Sequence, residues 1–190
     1  MKSLSIRKRP VIKAGRFFMP SFHQTQKFRM NAMTAQITIR QAIPDDCAHV
    51  ADMSNALHVE MDYDNPPHST DSIHDMMFGK HALIKSLIAW HGQTPVGQAV
   101  FQPFYNPDIS KLGLWMTELY VTPDMRSEKV GHKLMTAMGN HATRHGYVSM
   151  WWSVLQRNEG ALRFYERLGA RNSGALQYEI DGDALMRLTD

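Results

Sequence analysis

Residues 118–135, ELYVTPDMRSEKVGHKLM, are the part of the sequence on which the fold assignment depends. A strand-like start is followed by a turn at Pro123 and by a helix that opens through the pattern R-x-x-x-x-G, from Arg126 to Gly131. A helix that begins after such a loop aims free backbone N–H groups at one point, and its dipole favours an anion there. Most helix starts of this kind bind nothing, so the surrounding sequence is needed to decide whether this one binds an anion.

Regular patterns extend on both sides of this segment, from residue 36 onward. Alternating or continuous apolar runs predict strands, and apolar residues at helical spacing predict helices. We expect strands at 37–43, 86–92, 94–105, 111–121 and 147–155, helices at 47–61, 72–83, 127–146 and 158–170, and a closing hairpin of strands 175–180 and 184–188. This order predicts an α/β (mixed α+β) fold, in which a central twisted sheet, mixed but mostly antiparallel, carries helices on both faces.

The first 33 residues differ in charge from the rest of the chain. They contain eight of the 21 basic residues and no acidic one, so the net charge of +3 originates in this segment. We expect a basic, disordered N-terminal extension at 1–33 and one folded domain at 34–190; an arm that contacts an anionic partner is the alternative. Because the folded part is net acidic, we expect no binding of nucleic acid.

The lengths of the apolar runs and the cysteine content exclude membrane-spanning and disulfide-stabilised classes of protein. No apolar run approaches the roughly 18 residues of a membrane span, so we expect no membrane insertion. The single cysteine, Cys47, allows no internal disulfide and indicates no metal cluster. These features predict a cytoplasmic protein without a bound metal.

A second motif, SVLQRNEGALRFYERLGA, occupies residues 153–170. Asn158 is placed to cap a helix, and Ala161, Leu162 and Tyr165 follow at helical spacing. Tyr165 has two interpretations. It either packs in the core with a hydrogen-bonded hydroxyl, or acts as a general acid toward a leaving group.

Together, LYVTPDMRSEKVGHKLM and NEGALRFYERLGA resemble the GNAT superfamily of acyl-CoA-dependent N-acetyltransferases. The second motif is the more specific, because N-x-x-A-x-x-F-Y-x-x-x-G-A is rare by chance. The element order matches that fold over residues 36–188, and the run 152–170 is most similar to the small-amine branch, such as diamine acetyltransferases.

The resemblance implies a role for each matching position. The backbone of Leu119 and Val121 would hold the pantetheine arm of acetyl-CoA, Asn158 would contact the same ligand, and Tyr165 would protonate the departing thiolate. The pyrophosphate would bind backbone N–H groups of the loop, which comprises Arg126, Ser127, Glu128, Lys129, Val130 and Gly131.

Lys129 departs from the family pattern R/Q-x-x-G-x-G/A, which has glycine at this position. Its backbone N–H is still available, and its ammonium can lie against a phosphate as a flexible point charge. If the backbone φ is positive, lysine costs about 1 kcal/mol relative to glycine, or about fivefold in affinity. We therefore expect a weakened but working loop.

Glu118, in the strand before the loop, is the best-placed carboxylate for a general base, acting directly or through water. The alternative is a strand-edge charge or a helix partner, and none of the ten histidines stands out by itself. In the related fold the segment after the first helix borders the acceptor cleft, where acids attract a cationic amine; a solvated loop is the alternative. The acids of this segment are Glu60, Asp62, Asp64, Asp71 and Asp75.

These residues predict an acetyl-CoA-dependent N-acetyltransferase that acts on a primary amine of a small, polyamine- or amino-acid-like molecule. No cysteine lies in a nucleophile context, which favours direct transfer in a ternary complex. The alternatives are a protein or peptide N-acetyltransferase and a catalytically degenerate acyl-CoA sensor. The expected partners are acetyl-CoA and an amine acceptor, with a homodimer as a possible assembly.

Overall fold

The computed structural model describes residues 36–63 and 67–188, which form a five-stranded sheet with helices on both faces. The predicted N-terminal extension lies outside the described residues, so the boundary at residues 33 and 34 stays a prediction. No helix in the described ranges is both long and apolar enough to cross a membrane.

The strands follow one another across the sheet in chain order. They are β1 (Ile37–Gln41), β2 (Lys85–His91), β3 (Thr94–Asn106), β4 (Lys111–Val121) and β5 (Met150–Trp152). The first four pair antiparallel, whereas β5 pairs parallel to β4 after a helical crossover. The predicted mixed, mostly antiparallel sheet is confirmed.

The described residues form five α-helices: α1 (Cys47–Met61), α2 (Thr70–Phe78), α3 (Val130–Arg144), α4 (Glu159–Arg167) and α5 (Gly182–Met186). Helices α1 and α2 bury Val50 and Ile73 against one face of the sheet. Helix α3 buries Leu134 and Met138 against the other face, and α4 packs beside it. Full burial of one such side chain stabilises a protein by about 1.5–3 kcal/mol, so these two cores hold the helices in place.

An irregularity interrupts the pairing of β3 with β4. Val100 pairs with Glu118, but the next residue, Phe101, pairs with Met116. Thr117 is therefore an extra residue on β4, which is the arrangement of a β-bulge. Its hydroxyl donates to the carbonyl of Val100 at 3.2 Å, so the bulge is held by a hydrogen bond of its own.

The bulge reverses the side-chain alternation of β4. Met116 lies in the core on the α3 side, and regular alternation would place residue 118 there as well. Instead, Glu118 bonds Ser54 of α1 on the other face, while Leu119 packs on the α3 side. The bulge thus delivers a carboxylate to α1 and keeps it out of an apolar core.

The predicted closing hairpin was wrong. Residues 175–180 form no strand, and residues 182–186 form α5. Because β5 has only three paired residues, its outer edge offers few hydrogen bonds to a further strand. Three apolar side chains of the segment stay exposed: Leu176, Tyr178 and Ile180.

His141 of α3 is buried, and its Nε2 has no hydrogen-bond partner within residues 36–63 and 67–188. Its ring packs against Phe101 with centroids 5.0 Å apart and stacks on His145 at 4.1 Å. Burial, followed by the charge of His145, lowers the pKa of His141 to about 4. The side chain is therefore a core residue that is neutral at neutral pH.

We expect stability to fall as the pH drops from 6.5 to about 4, because the unfolded chain binds a proton at His141 that the folded protein excludes. The size of the pKa shift corresponds to about 3 kcal/mol. Urea unfolding at several pH values measures this, with His141→Phe as the comparison, whose stability should vary less over the range. The same pH dependence in both proteins would contradict the prediction.

Candidate active site

Strand β4 extends beyond its parallel neighbour, and this opens a fork in the sheet. The last pair between the two strands joins Met116 to Trp152, whereas β4 continues to Val121. From Thr117 onward, β4 has β3 on one side and, within the described ranges, no strand on the other. Backbone polar groups along this edge are available to an extended ligand.

Both predicted pantetheine-binding residues lie in the fork. The side chains of Leu119 and Val121 pack toward the core on the α3 side, which leaves the backbone as the part that a ligand can reach. The carbonyl of Val121 accepts a hydrogen bond from Arg126 Nε at 3.1 Å, so this end of β4 is tied to the following loop. Contact of the two residues with acetyl-CoA stays a prediction.

Two arginines connect the end of α1 to the loops that follow β4 and β5. Arg126 donates to both carboxylate oxygens of Glu60, at 2.6 Å each. Arg157 donates to the carbonyl of Met61 at 2.7 Å. The last turn of α1 is thereby tied to both arms of the fork.

The predicted phosphate loop forms a 3₁₀ turn, Pro123–Glu128, that continues into α3. Lys129 is the N-cap of α3 and makes no side-chain cap, so the first N–H groups of the helix are left without that partner. Ser127, Glu128 and Lys129 are exposed, whereas the Val130 side chain is fully buried and anchors the turn. No acidic residue lies in the first turn of α3 itself, but the exposed Glu128 directly precedes the N-cap and disfavours an anion.

Gly131 lies where α4 and the end of β4 pack against the first turn of α3. A Cβ at this position would lie 3.4 Å from Phe164 of α4 and 3.8 Å from Val121 of β4. Both are ordinary van der Waals distances, so a small side chain at this position would also fit beside α4 and the end of β4. This packing joins the loop to the helix that carries the second motif.

Lys129 adopts a left-handed backbone, with φ 57° and ψ 21°. In this conformation a residue with a Cβ costs about 1–2 kcal/mol. The missing glycine therefore leaves the turn intact and adds strain to it.

Replacing Lys129 by glycine should stabilise the protein by about 0.5–1 kcal/mol, because the relief of strain is partly offset by the larger entropy of glycine in the unfolded chain. We expect a higher thermal midpoint and an acetyl-CoA affinity, measured by calorimetry, that is unchanged or improved. Lys129→Ala is the matched control, since it removes the ammonium and keeps the strain. A large loss of affinity in both variants would show that the ammonium holds phosphate.

Helix α4 places Asn158 and Tyr165 beside the fork. Asn158 Oδ1 accepts a hydrogen bond from the N–H of Ala161 at 3.1 Å, which confirms the predicted helix cap. The Tyr165 ring packs against Trp152, the residue at which β4 and β5 separate, with centroids 4.9 Å apart.

The Tyr165 hydroxyl is available as a hydrogen-bond donor. Burial raises the pKa of Tyr165 to about 12, so the phenol is protonated at neutral pH. Among the residues that the structure describes, none forms a hydrogen bond with this hydroxyl. The ring is partly buried, but the hydroxyl lacks the internal partner that a purely structural role predicts.

Glu118 points toward α1 and is held there by two buried polar side chains. Ser54 Oγ donates to Glu118 Oε2 at 2.6 Å, and Gln98 Nε2 donates to the same oxygen at 3.0 Å. Gln98 also donates to Ser54 at 3.0 Å, which closes the network. Both donors hold Oε2, and Oε1 accepts no hydrogen bond from the described residues, so it is left for a ligand.

Two histidines that no sequence motif marks lie next to Glu118. His58 follows Ser54 by one turn of α1, and this i, i+4 spacing was the only signal that could have placed it on the same helix face. His68 precedes α2 and is fixed by Asn55, whose side chain makes hydrogen bonds of 3.0 and 2.7 Å with its backbone. One ligand atom from each of His58, His68 and Glu118 lies within 4.8 Å of the others.

The acids predicted to attract a cationic amine differ in their surroundings. The charge of Glu60 is offset by Arg126. Asp64 lies outside the described residues, and the remaining acids of the segment are exposed: Asp62, Asp71 and Asp75. Attraction of the acceptor by this segment stays a prediction, and Glu118 is the carboxylate that the fold places in the fork.

Comparison with known proteins agrees with this geometry. A model of the acetyltransferase (GNAT) family matches residues 50–170, a span that contains the fork, the phosphate loop and α4. The chain therefore belongs to the GNAT acetyltransferase family. It is an N-acetyltransferase.

Individual relatives are distant in sequence and similar in fold. Thialysine N-epsilon-acetyltransferase from Sus scrofa is 24% identical over 167 residues, which cover 81% of this chain and 98% of that protein. An integron cassette protein from the mobile metagenome of V. cholerae has a TM-score of 0.69 at 20% identity, covering 80% of this chain and 97% of its own. An aminoglycoside N-acetyltransferase in complex with CoA has a TM-score of 0.64 at 16% identity, covering 77% and 95%.

Proposed function

We propose that this enzyme transfers the acetyl group of acetyl-CoA to a primary amine of a small, amino-acid-like or polyamine-like molecule, directly and in a ternary complex. The observation that carries the proposal is the fork between β4 and β5. Glu118 lies on its α1 side, held by Ser54 and Gln98, and Tyr165 packs where the strands separate. A carboxylate and a protonated phenol therefore border one opening from opposite faces of the sheet.

The acyl donor occupies the open edge of β4 in this proposal. The backbone of Leu119 and Val121 binds the pantetheine arm, Asn158 contacts the donor, and the start of α3 binds the pyrophosphate. The solved aminoglycoside N-acetyltransferase of the same fold holds CoA, which supports CoA as the ligand class here.

The acceptor reaches the thioester from the α1 side. Its ammonium is attracted by Glu118 and loses a proton there, and His58 and His68 pass that proton to solvent. The neutral nitrogen then attacks the thioester carbonyl, so that an N–C bond forms and the C–S bond breaks. The nitrogen loses its second proton to water, which balances the proton that the thiolate takes up. The relative named for acetylation of the ε-amine of thialysine supports an acceptor with an amine at the end of a flexible chain.

Tyr165 stabilises the departing sulfur. Its pKa of about 12 exceeds that of a thiol, about 8.5, so complete transfer of the proton to a relaxed thiolate is unfavourable by about 5 kcal/mol. We therefore infer that the phenol donates a hydrogen bond to the sulfur while charge develops. Any final protonation of the thiolate is then completed by water.

A thiol-release assay with a panel of amines tests the proposal. We expect turnover with thialysine, lysine, ornithine or spermidine and none with lysine blocked at its ε-amine. Turnover confined to peptides would favour a protein N-acetyltransferase. Tight binding of acetyl-CoA without turnover on any amine would overturn the proposed reaction and identify an acyl-CoA sensor.

We also propose a cytoplasmic homodimer. The exposed apolar side chains of Leu176, Tyr178 and Ile180 provide a surface that a second copy can cover. The single cysteine suits a reducing compartment. Light scattering of the wild type and of Tyr178→Asp tests the assembly, and a monomeric wild type would exclude it.

A further inference from the structure

We propose that His58, His68 and Glu118 form a binding site for a zinc ion, and that zinc bound there inhibits acetyl transfer. The site lies where three elements meet. His58 is in the last turns of α1, His68 directly precedes Ser69 at the start of α2, and Glu118 directly follows the bulge in β4. The cluster is distinct from the phosphate loop and from Tyr165.

The separation of the two imidazoles fits a shared ion better than a hydrogen bond. His58 Nε2 and His68 Nε2 are 3.4 Å apart. An N–H hydrogen bond is usually about 2.7–3.2 Å long. Two nitrogens on one tetrahedral zinc, each about 2.0–2.1 Å from the ion, are about 3.3–3.4 Å apart.

The donor set selects the class of metal. Two imidazole nitrogens and one carboxylate oxygen suit zinc and similar transition metals, whereas magnesium and calcium prefer oxygen ligands only. The atoms already lie within 4.8 Å of one another, so small side-chain rotations bring them to bonding distance. Three protein ligands leave a fourth position for water.

Each ligand is oriented by a neighbour, as in established metal sites. Ser54 and Gln98 hold one oxygen of Glu118, which leaves the other for the ion. The Asn55 side chain holds the backbone of His68, and the rigid α1 helix carries His58.

The consequence for the enzyme follows from Glu118. A zinc ion bound to this carboxylate removes its negative charge from the acceptor site and occupies the place where an ammonium would lie. Zinc should therefore compete with the amine and leave acetyl-CoA binding unchanged. Zinc binding itself is independent of the proposed function, whereas inhibition depends on it.

Competition with a chromogenic zinc chelator measures binding by the full chain. We expect one tight equivalent of zinc in the wild type, and affinities lowered by more than about 10-fold in His58→Gln and in His68→Gln. His74→Gln is the matched control, because His74 is exposed on the nearby α2, and it should bind zinc as the wild type does. Equal zinc affinity in all four proteins, or no tight zinc in the wild type, would overturn the site.

Further measurements distinguish the loss of a zinc ligand from a change in folding and test the inhibitory role. Thermal midpoints and acetyl-CoA affinities of the histidine variants should match the wild type, so that lost zinc binding reports a lost ligand. The visible spectrum of Co²⁺ bound to the wild type should show tetrahedral coordination, and His68→Gln should lose it. In activity assays zinc should raise the KM for the amine, and EDTA should reverse this increase. If zinc binds to an active enzyme without changing the KM for the amine, the inhibitory role is overturned.

Discussion

Replacing Tyr165 by phenylalanine is expected to lower kcat for acetyl transfer by about 10–100-fold and to change the acetyl-CoA dissociation constant by less than about threefold. The substitution keeps the ring that packs against Trp152 and removes only the hydroxyl. The size follows from a hydrogen bond to a developing charge, which is worth about 1.5–3 kcal/mol. Thiol release at saturating substrates gives kcat, and calorimetry gives the dissociation constant.

Tyr147→Phe is the matched control, because Tyr147 stacks against His145 at the other end of α3 and should retain full activity. Since the pKa of Tyr165 is about 12, the ratio of wild-type to Tyr165→Phe activity should be constant from neutral pH to about pH 10. Equal activity in the two proteins would remove Tyr165 from the reaction. A ratio that fell toward one within that range would show that the phenol ionises there.

Glu118→Gln is expected to lower kcat/KM for the amine by about 100-fold or more, because it removes both the charge that attracts an ammonium and the proton acceptor. Glutamine keeps an oxygen that can accept from Ser54 and Gln98, so the network and the fold should persist. Steady-state kinetics with the amine varied at saturating acetyl-CoA measures the effect.

Two further variants, compared with Glu118→Gln, distinguish a catalytic role of Glu118 from a general effect of surface charge. Asp75→Asn removes an exposed acid of α2 and should leave kcat/KM within about twofold, since surface charges are screened by salt. Ser54→Ala keeps the carboxylate but loosens its position, and it should cost about 10-fold or less. A Glu118→Gln variant as active as Asp75→Asn would assign Glu118 to structure alone.

The sequence predicted the architecture well where patterns were long. Helix α1 has the bounds expected from its apolar spacing, and the three antiparallel strands that follow α2 lie close to their predicted positions. The closing hairpin failed because an alternating pattern such as ALQYEI needs a partner strand, and three-residue β5 offers too short an edge. The alternation of apolar and polar residues shows that this segment could form a strand. It does not show whether a partner strand lies beside the segment in the folded protein.

The site was only partly predictable. The motifs marked the predicted phosphate loop, Asn158 and Tyr165 as candidates because each motif consists of residues close together in the chain. His58 and His68 had no such signal, because they approach Glu118 from about 50–60 residues away in sequence, on elements that meet only where α1 and α2 pack against the sheet. Lys129 was recognised as a departure from the glycine of the family pattern, but its positive φ could be established only from the backbone of the folded structure.

The sequence by itself determined the element order from β1 to α4 and the identity of the residues that can donate or accept protons; the predicted start of α3 at residue 127 lies three residues before the observed start at Val130. Only the tertiary structure decided which face of the sheet Glu118 occupies. Strand alternation has a period of two, so one inserted residue reverses every side chain after it. Thr117 is that residue, and nothing in its chemistry distinguishes it from an ordinary strand threonine. Its effect exists only in the pairing of β4 with β3, which places Glu118 against Ser54, Gln98 and the two histidines.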